Sequence, residues 1–188
     1  MISRILLTFA IALIAVFSFL THAVAQQRDH LTQQEVDLVK EAQILDKRID
    51  VFIKATERRI MVINGSATAA ANAKQLKKDS EKGWGELPTG SRAELVSDIA
   101  KILDEAITNI DDVSARDERN PLIAKSLRKL AQATNTIMSQ LKPLATEAKS
   151  EAEVASFELL NEDAQSIMEA ANKLPPEVVT DKKAKKSN

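Results

Sequence analysis

Apolar residues recur every three or four positions along most of this chain, which is the spacing of amphipathic α-helices. The first stripe consists of Leu38, Ala42, Leu45, Ile49, Phe52, Thr56 and Ile60. Thr32 and Glu35 form a capping-box pattern before it, and Asn64-Gly65 is a typical helix stop. The pattern predicts one continuous helix of about nine turns between these two signals.

Three further stripes each follow a helix-start signal. These signals are the capping box Ser91-Arg92-Ala93-Glu94, the pair Asn120-Pro121, and Ser150 followed by Glu153. The leading apolar members are Leu95, Ile99, Leu103 and Ile110 in the second stripe, Leu127, Leu130, Ile137 and Leu141 in the third, and Phe157, Leu160, Ile167 and Leu174 in the last.

Pro143 lies between the third and fourth stripes and leaves two alternatives. Either the helix stops near Lys142, or it continues with a kink at the proline. Because proline inside a helix costs about 3 kcal/mol, we favour the break. The periodicity of Leu141, Leu144 and Ala148 nevertheless passes straight through the proline.

The alternation of apolar and polar residues typical of strands appears nowhere in the sequence. We therefore expect an all-α fold, an antiparallel bundle of three to four long amphipathic helices, with a Pro143 kink in the last helix as the alternative to a break. Pro175-Pro176 ends the expected single domain, residues 26–176, and the Lys-rich segment 177–188 is expected to be a disordered tail.

The first 25 residues have the features of a signal peptide. Arg4 precedes an apolar run from Ile5 to Leu20, and Ala23-Val24-Ala25 provides the small-residue pattern of a cleavage site. We expect cleavage after Ala25, a periplasmic or secreted bacterial protein, and no stable membrane insertion of the mature chain. An uncleaved anchor is the alternative, because such a run is about long enough to cross a bilayer.

The segment 65–90 holds all four glycines and is expected to be a mobile connection. Its residues around Lys74, Lys77 and Lys78 favour helix but contain one large apolar residue, so they predict an exposed basic arm. Trp84 follows the arm and has two interpretations. It either anchors the loop on the bundle, or joins the three lysines as a contact for a partner.

Composition argues against most catalytic and nucleic-acid-binding functions. The chain has 26 basic and 27 acidic residues, whereas a nucleic-acid binder normally presents a strongly basic domain. There is no Cys, and His30 is the one histidine after the signal segment. A serine triad, a ferritin-like metal site or a haem site would all depend on it. We therefore predict no enzyme activity, no cofactor and no metal site.

These features are typical of an exported interaction or scaffold protein of the cell envelope, a monomer or homodimer that binds a protein partner. A second hypothesis rests on Leu31-Thr32-Gln33-Gln34-Glu35, which resembles the Leu-Thr-x-x-Gln signature of the Spy/CpxP-like exported helical proteins. The match covers five residues, with Glu35 in the place of the Gln. The resemblance implies a periplasmic stress chaperone or sensor accessory that dimerises into a cradle with an exposed apolar or basic surface.

Overall fold

A computed structural model describes residues 29–65 and 70–176. These residues form six α-helices and no strand, which confirms the all-α prediction. The helices are α1 (Gln33–Glu41), α2 (Leu45–Ile63), α3 (Ala70–Glu81), α4 (Arg92–Arg116), α5 (Pro121–Glu147) and α6 (Glu151–Asn172). The predicted signal segment 1–25 and tail 177–188 lie outside the described residues.

The predicted start signals all begin helices. Reciprocal capping boxes at Thr32 and Ser91 start α1 and α4. Asn120 caps α5, whose first residue is Pro121, and the Ser150 hydroxyl accepts from the backbone N–H of Glu153 at the start of α6. Each cap satisfies an amide that has no partner within the first helical turn, so these short motifs fix the starts of the helices locally.

The prediction of one continuous helix from Thr32 to Asn64 is wrong, because the chain leaves the helix between Ala42 and Ile44. Ile44 is extended and 55% exposed, and the Ala42 carbonyl accepts a hydrogen bond from Arg48 Nε at 3.0 Å. The break allows α1 to fold back along α2 instead of extending away from it. Local periodicity could not reveal the break, because contacts between distant residues hold α1 in place.

The favoured helix break at Pro143 is also wrong, since α5 continues through Pro143 to Glu147. Pro143 is exposed and Leu141 is buried. The proline deprives only the Ser139 carbonyl of its helical N–H partner, and at an exposed position water can take that place. Continued helix keeps Leu141 and Leu144 on the apolar core, which offsets the cost of the proline.

Helices α2 and α4 pack in antiparallel directions. Arg48 Nη1 donates to Asn109 Oδ1 at 3.0 Å, and Arg59 Nε lies 3.6 Å from Asp98 Oδ2. Residue numbers therefore rise along one helix as they fall along the other.

Helices α2 and α5, in contrast, are parallel neighbours. Lys125 Nζ lies 2.6 Å from Asp46 Oδ2, and Lys129 Nζ lies 2.6 Å from Asp50 Oδ1 one turn further along. The hydrogen bond from Lys125 lowers the pKa of Asp46, which is thereby held as an anion near the start of α2.

Helix α6 packs on both α4 and α5. Its N-terminal Glu153 pairs with Arg92, the first residue of α4, at 2.8 Å, and Asp163 faces Asp104 further along both helices. Helices α4 and α6 are therefore parallel as well, whereas the short turn at 148–150 reverses the chain between α5 and α6.

The apolar stripes of α2, α4, α5 and α6 meet in a common core. Its fully buried members include Ile49, Phe52, Val96, Ile99, Ile102, Leu103, Leu130, Leu160 and Ile167. Among the described residues, no helix is long and apolar enough to cross a membrane.

Asp163→Asn is expected to stabilise the protein at neutral pH but not in acid. Burial, with help from Asp104 and Glu162, raises the pKa of Asp163 to about 6. The folded state therefore binds this proton more tightly than the unfolded chain, and stability falls as the pH rises from about 4 through 6. A shift of about two pKa units corresponds to at most ~3 kcal/mol, and solvent screening reduces this to about 1 kcal/mol at pH 7.5.

Thermal denaturation of the Asp163→Asn variant should show a melting temperature about 3 °C above that of the wild type at pH 7.5, and equal melting temperatures near pH 4. Glu158→Gln is the control, because Glu158 is exposed on the same helix and is not among the charges that raise the pKa of Asp163; it should change stability far less. Equal effects of Asp163→Asn at both pH values would contradict a raised pKa of Asp163 in the folded protein.

Candidate functional site

Helix α3 presents the three predicted contact lysines on one exposed face. Lys74, Lys77 and Lys78 are all exposed, and their spacing puts them on the same side of the helix. Asp79 lies on the other side and is buried, with Leu76 half-buried beside it. The structure thus confirms a helix with an outward lysine face, which we call the lysine face of α3. Residues 66–69, which precede the helix, lie outside the described residues.

Asp79 fastens the C-terminal end of α3 to α2. Lys54 Nζ lies 3.0 Å from Asp79 Oδ2, and Gln75 Nε2 donates to Asp79 Oδ1 at 2.7 Å. The backbone N–H of Trp84 donates to the Asp79 carbonyl at 3.1 Å, which turns the chain back toward the bundle immediately after the helix.

Trp84, the fourth predicted contact residue, is only 8% exposed and is part of the apolar core. Its ring lies against the Arg58 guanidinium, with 5.5 Å between the guanidinium carbon and the ring centroid. The tryptophan therefore does not share the exposed face of the lysines. Its burial favours the anchor interpretation, in which the ring holds the loop on α2.

The side chain of Arg58 binds the backbone of the loop that follows α3. Its Nη2 donates to the carbonyls of Trp84, Gly85 and Glu86 at distances of 2.5 to 3.2 Å. Gly85 has a φ of +62°, and a Cβ added there would lie 2.9 Å from the Gln34 side chain. The loop is thus held between α1 and α2, and position 85 requires glycine for both conformation and space.

Glu35 of α1 pairs with two arginines of α2. Its Oε1 accepts from Arg58 Nε at 3.3 Å and from Arg59 Nη1 at 3.1 Å, and its Oε2 accepts from Arg59 Nη2 at 2.9 Å. The same Oε2 accepts from the Thr32 N–H at 3.0 Å, which completes the capping box. All three charged side chains are at most 1% exposed. We call Glu35, Arg58, Arg59 and Trp84 the buried anchor.

Arg58 and Arg59 are long cationic side chains of a kind that ordinarily extends to water. Both guanidinium groups instead lie inside the protein, where carboxylates of the chain itself pair with them. Burial lowers the pKa of Arg58, while Glu35 and Asp79 act in the opposite direction. Arg58 remains a cation at neutral pH, because a guanidinium in a protein keeps its proton.

His30, the histidine on which the candidate catalytic and metal sites of the sequence depend, has partners on α2 and α4. His30 Nε2 lies 2.8 Å from Glu105 Oε2, and the His30 carbonyl accepts from Arg59. Within the described residues, no group of three or more histidine, aspartate or glutamate side chains is arranged to hold a metal ion. The described residues offer a cationic surface on α3 and a dense set of buried ion pairs that joins α1, α2 and α4.

No protein-family model, no curated protein and no solved structure matches this chain. Its function therefore has to be inferred from its own geometry.

Proposed function

We propose that the protein is an exported, non-catalytic helical bundle that binds a protein partner in the cell envelope through the lysine face of α3. In this proposal the four long helices act as one bundle, and α3 is the recognition element carried on it. Export rests on the apolar segment 1–25 with its Ala23-Val24-Ala25 pattern. The mature chain would act in the periplasm or outside the cell, as a monomer or a homodimer.

The observation that carries this proposal is the contrast between the two sides of α3. Its outer face holds Lys74, Lys77 and Lys78 in water, whereas Asp79 and the loop after it are fixed by buried contacts. A solubilising surface needs no such attachment. A cationic helix whose C-terminal end is held on the bundle loses less freedom on binding than a free segment would. Its positive face favours an acidic protein surface as the partner.

The charge of the lysine face is testable by reversal. The triple variant Lys74→Glu, Lys77→Glu, Lys78→Glu should lose at least about tenfold in affinity, because each lysine that meets an acidic group is replaced by a repelling charge. The measurement is the amount of native complex containing the protein in envelope extracts of its own cells, with far-ultraviolet circular dichroism to verify that the bundle is folded.

The matched control reverses three exposed lysines elsewhere, Lys40, Lys149 and Lys173, which changes the net charge equally. The proposal requires the control to retain the complex. If both triple variants lose it, general charge attraction is responsible. If neither does, the lysine face is not the contact. A catalytic turnover that persists through purification would contradict the non-catalytic part of the proposal.

The alternative is a periplasmic stress chaperone of the Spy/CpxP-like kind. Three large apolar side chains, Ile44, Val154 and Leu159, are exposed and could contact an unfolded client. The signature-like residues Thr32 and Glu35 are however occupied by helix capping and the buried anchor. Suppression of the aggregation of an unfolded client at equimolar ratio would support this alternative, and failure to suppress it would exclude it.

A further inference from the structure

A groove runs between α5 and α6, away from the lysine face of α3. It consists of two depressions, about 390 and 290 Å³ in volume, which share Met138 and Asn161 and so adjoin each other. The first depression is lined mainly by apolar side chains, among them Leu141, Phe157 and Leu160. It is large enough for one apolar side chain of a ligand, and Met138 can adapt its shape to different ones.

The second depression is lined by side-chain amides. Asn135, Asn161 and Gln165 face it together with Met168. No hydrogen bond joins these three amides to other described residues. An alkyl chain laid over them would remove water from polar groups without replacing its hydrogen bonds, which is unfavourable. A peptide backbone offers each amide both a donor and an acceptor, so the lining favours a peptide over a lipid tail.

The two ends of the groove carry opposite charges. Lys142 lies at the rim of the apolar depression and Glu169 at that of the amide-lined one. Neither has an ion-pair partner among the residues that the structure describes. From Phe157 to Glu169 the groove follows α6 for ~18 Å. That length corresponds to roughly five or six residues of extended chain at ~3.3 Å each.

We propose that this groove binds an extended peptide segment of about six residues. An apolar side chain of the peptide fills the first depression, an acidic residue beside it pairs with Lys142, and the main chain crosses the amides toward a basic residue near Glu169. This site goes beyond the contact proposed for α3, and neither depends on the other.

Two isomeric peptides, acetylated and amidated at their ends, test the charge polarity. One is Lys-Gly-Ser-Thr-Phe-Glu and the other is Glu-Gly-Ser-Thr-Phe-Lys, and both are also made with the sequence reversed. Each is titrated into the uniformly ¹⁵N-labelled mature protein, residues 26–188, while amide chemical shifts are recorded. A peptide with Glu beside Phe should bind about tenfold more tightly than its charge-exchanged isomer, with shift changes along α5 and α6.

Exchanging the two charges of the groove provides the matched test. The double variant Lys142→Glu with Glu169→Lys should reverse the preference, so that the peptide with Lys beside Phe binds more tightly. The control double variant Lys149→Glu with Glu158→Lys changes exposed residues outside the groove and should keep the wild-type preference. The proposal is overturned if no peptide gives saturable shifts at millimolar concentration, if the isomers bind equally, or if the shifts map outside α5 and α6.

Discussion

Replacing Glu35 with Gln is expected to lower the free energy of unfolding by about 3–5 kcal/mol, the range for removing one partner of a buried ion pair. Glu35 is fully buried and accepts hydrogen bonds from Arg58 and Arg59. Glutamine keeps the shape of the side chain but removes the charge, and its NH₂ group would face donors. Two cations would then share the interior with too little compensating charge. Urea denaturation of both proteins measures the loss.

The chain contains a matched control for this substitution. Glu94 occupies the same position in the capping box of Ser91, but it is exposed. Glu94→Gln should therefore cost only about 0.3–1 kcal/mol, the contribution of a surface charge at a helix N-terminus, because glutamine also completes a capping box. Equal losses from Glu35→Gln and Glu94→Gln would mean that the capping box, and not the pairing with the arginines, explains the stability contributed by Glu35.

Replacing Trp84 with Ala is expected to cost about 3–4 kcal/mol, because the ring is almost fully buried and its removal leaves a cavity. The loss would also remove the contact with Arg58 and weaken the attachment of the chain that follows α3. Hydrogen exchange should therefore accelerate in residues 70–81 more than in α5. Circular dichroism follows unfolding, since Trp84 is the only tryptophan of the chain.

Trp84→Phe provides the comparison, because it retains an aromatic ring over Arg58 and should lose about 1–2 kcal/mol. Unchanged stability of Trp84→Ala together with lost partner binding would contradict the anchor and restore Trp84 as a direct contact. Lost stability with retained exchange protection in 70–81 would mean that Trp84 stabilises the bundle without holding α3.

Local signals in the sequence are sufficient for four of the six helix starts that the structure describes, and for most of the core. The capping boxes at Thr32 and Ser91 and the cap at Asn120 involve residues two or three positions apart, so the sequence contains the whole interaction. The stripes likewise contain side chains that are buried, such as Phe52 and Leu103. The exposure of the lysines on α3 could also be predicted, because the sequence around them has too few apolar residues to bury that face.

The sequence indicates the burial of Arg59 in the buried anchor, but not the pairing of Arg59 with Glu35. Arg59 follows Phe52 by seven positions and Thr56 by three, which places it within the apolar stripe of α2 and is a signal that it is buried. Its partner Glu35 lies 24 positions earlier and reaches it only because the chain breaks between Ala42 and Ile44. Ion pairing at this sequence distance has no local pattern, so neither the break nor the pairing could be read from periodicity.

Helix neighbours are the other part that the sequence does not determine. Helical periodicity identifies a buried face, but it does not specify which helix covers that face or in which direction. The parallel contacts of α2 with α5 and of α4 with α6 depart from the expected antiparallel arrangement. The groove lies between the antiparallel pair α5 and α6, and it is lined partly by exposed residues such as Asn135, Asn161 and Gln165. Periodicity marks only the buried stripe of each helix, so these residues were not among the predicted contacts.

Site-specific photo-crosslinking in the native cells tests the central claim most directly, namely that the lysine face of α3 contacts a protein. A photoreactive residue at position 77 is compared with one at position 173, an exposed lysine position just beyond the end of α6. The account predicts a defined protein adduct from position 77 that disappears when Lys74 and Lys78 are changed to Glu, and no such adduct from position 173. An adduct of equal yield from both positions, or none from position 77, would contradict it.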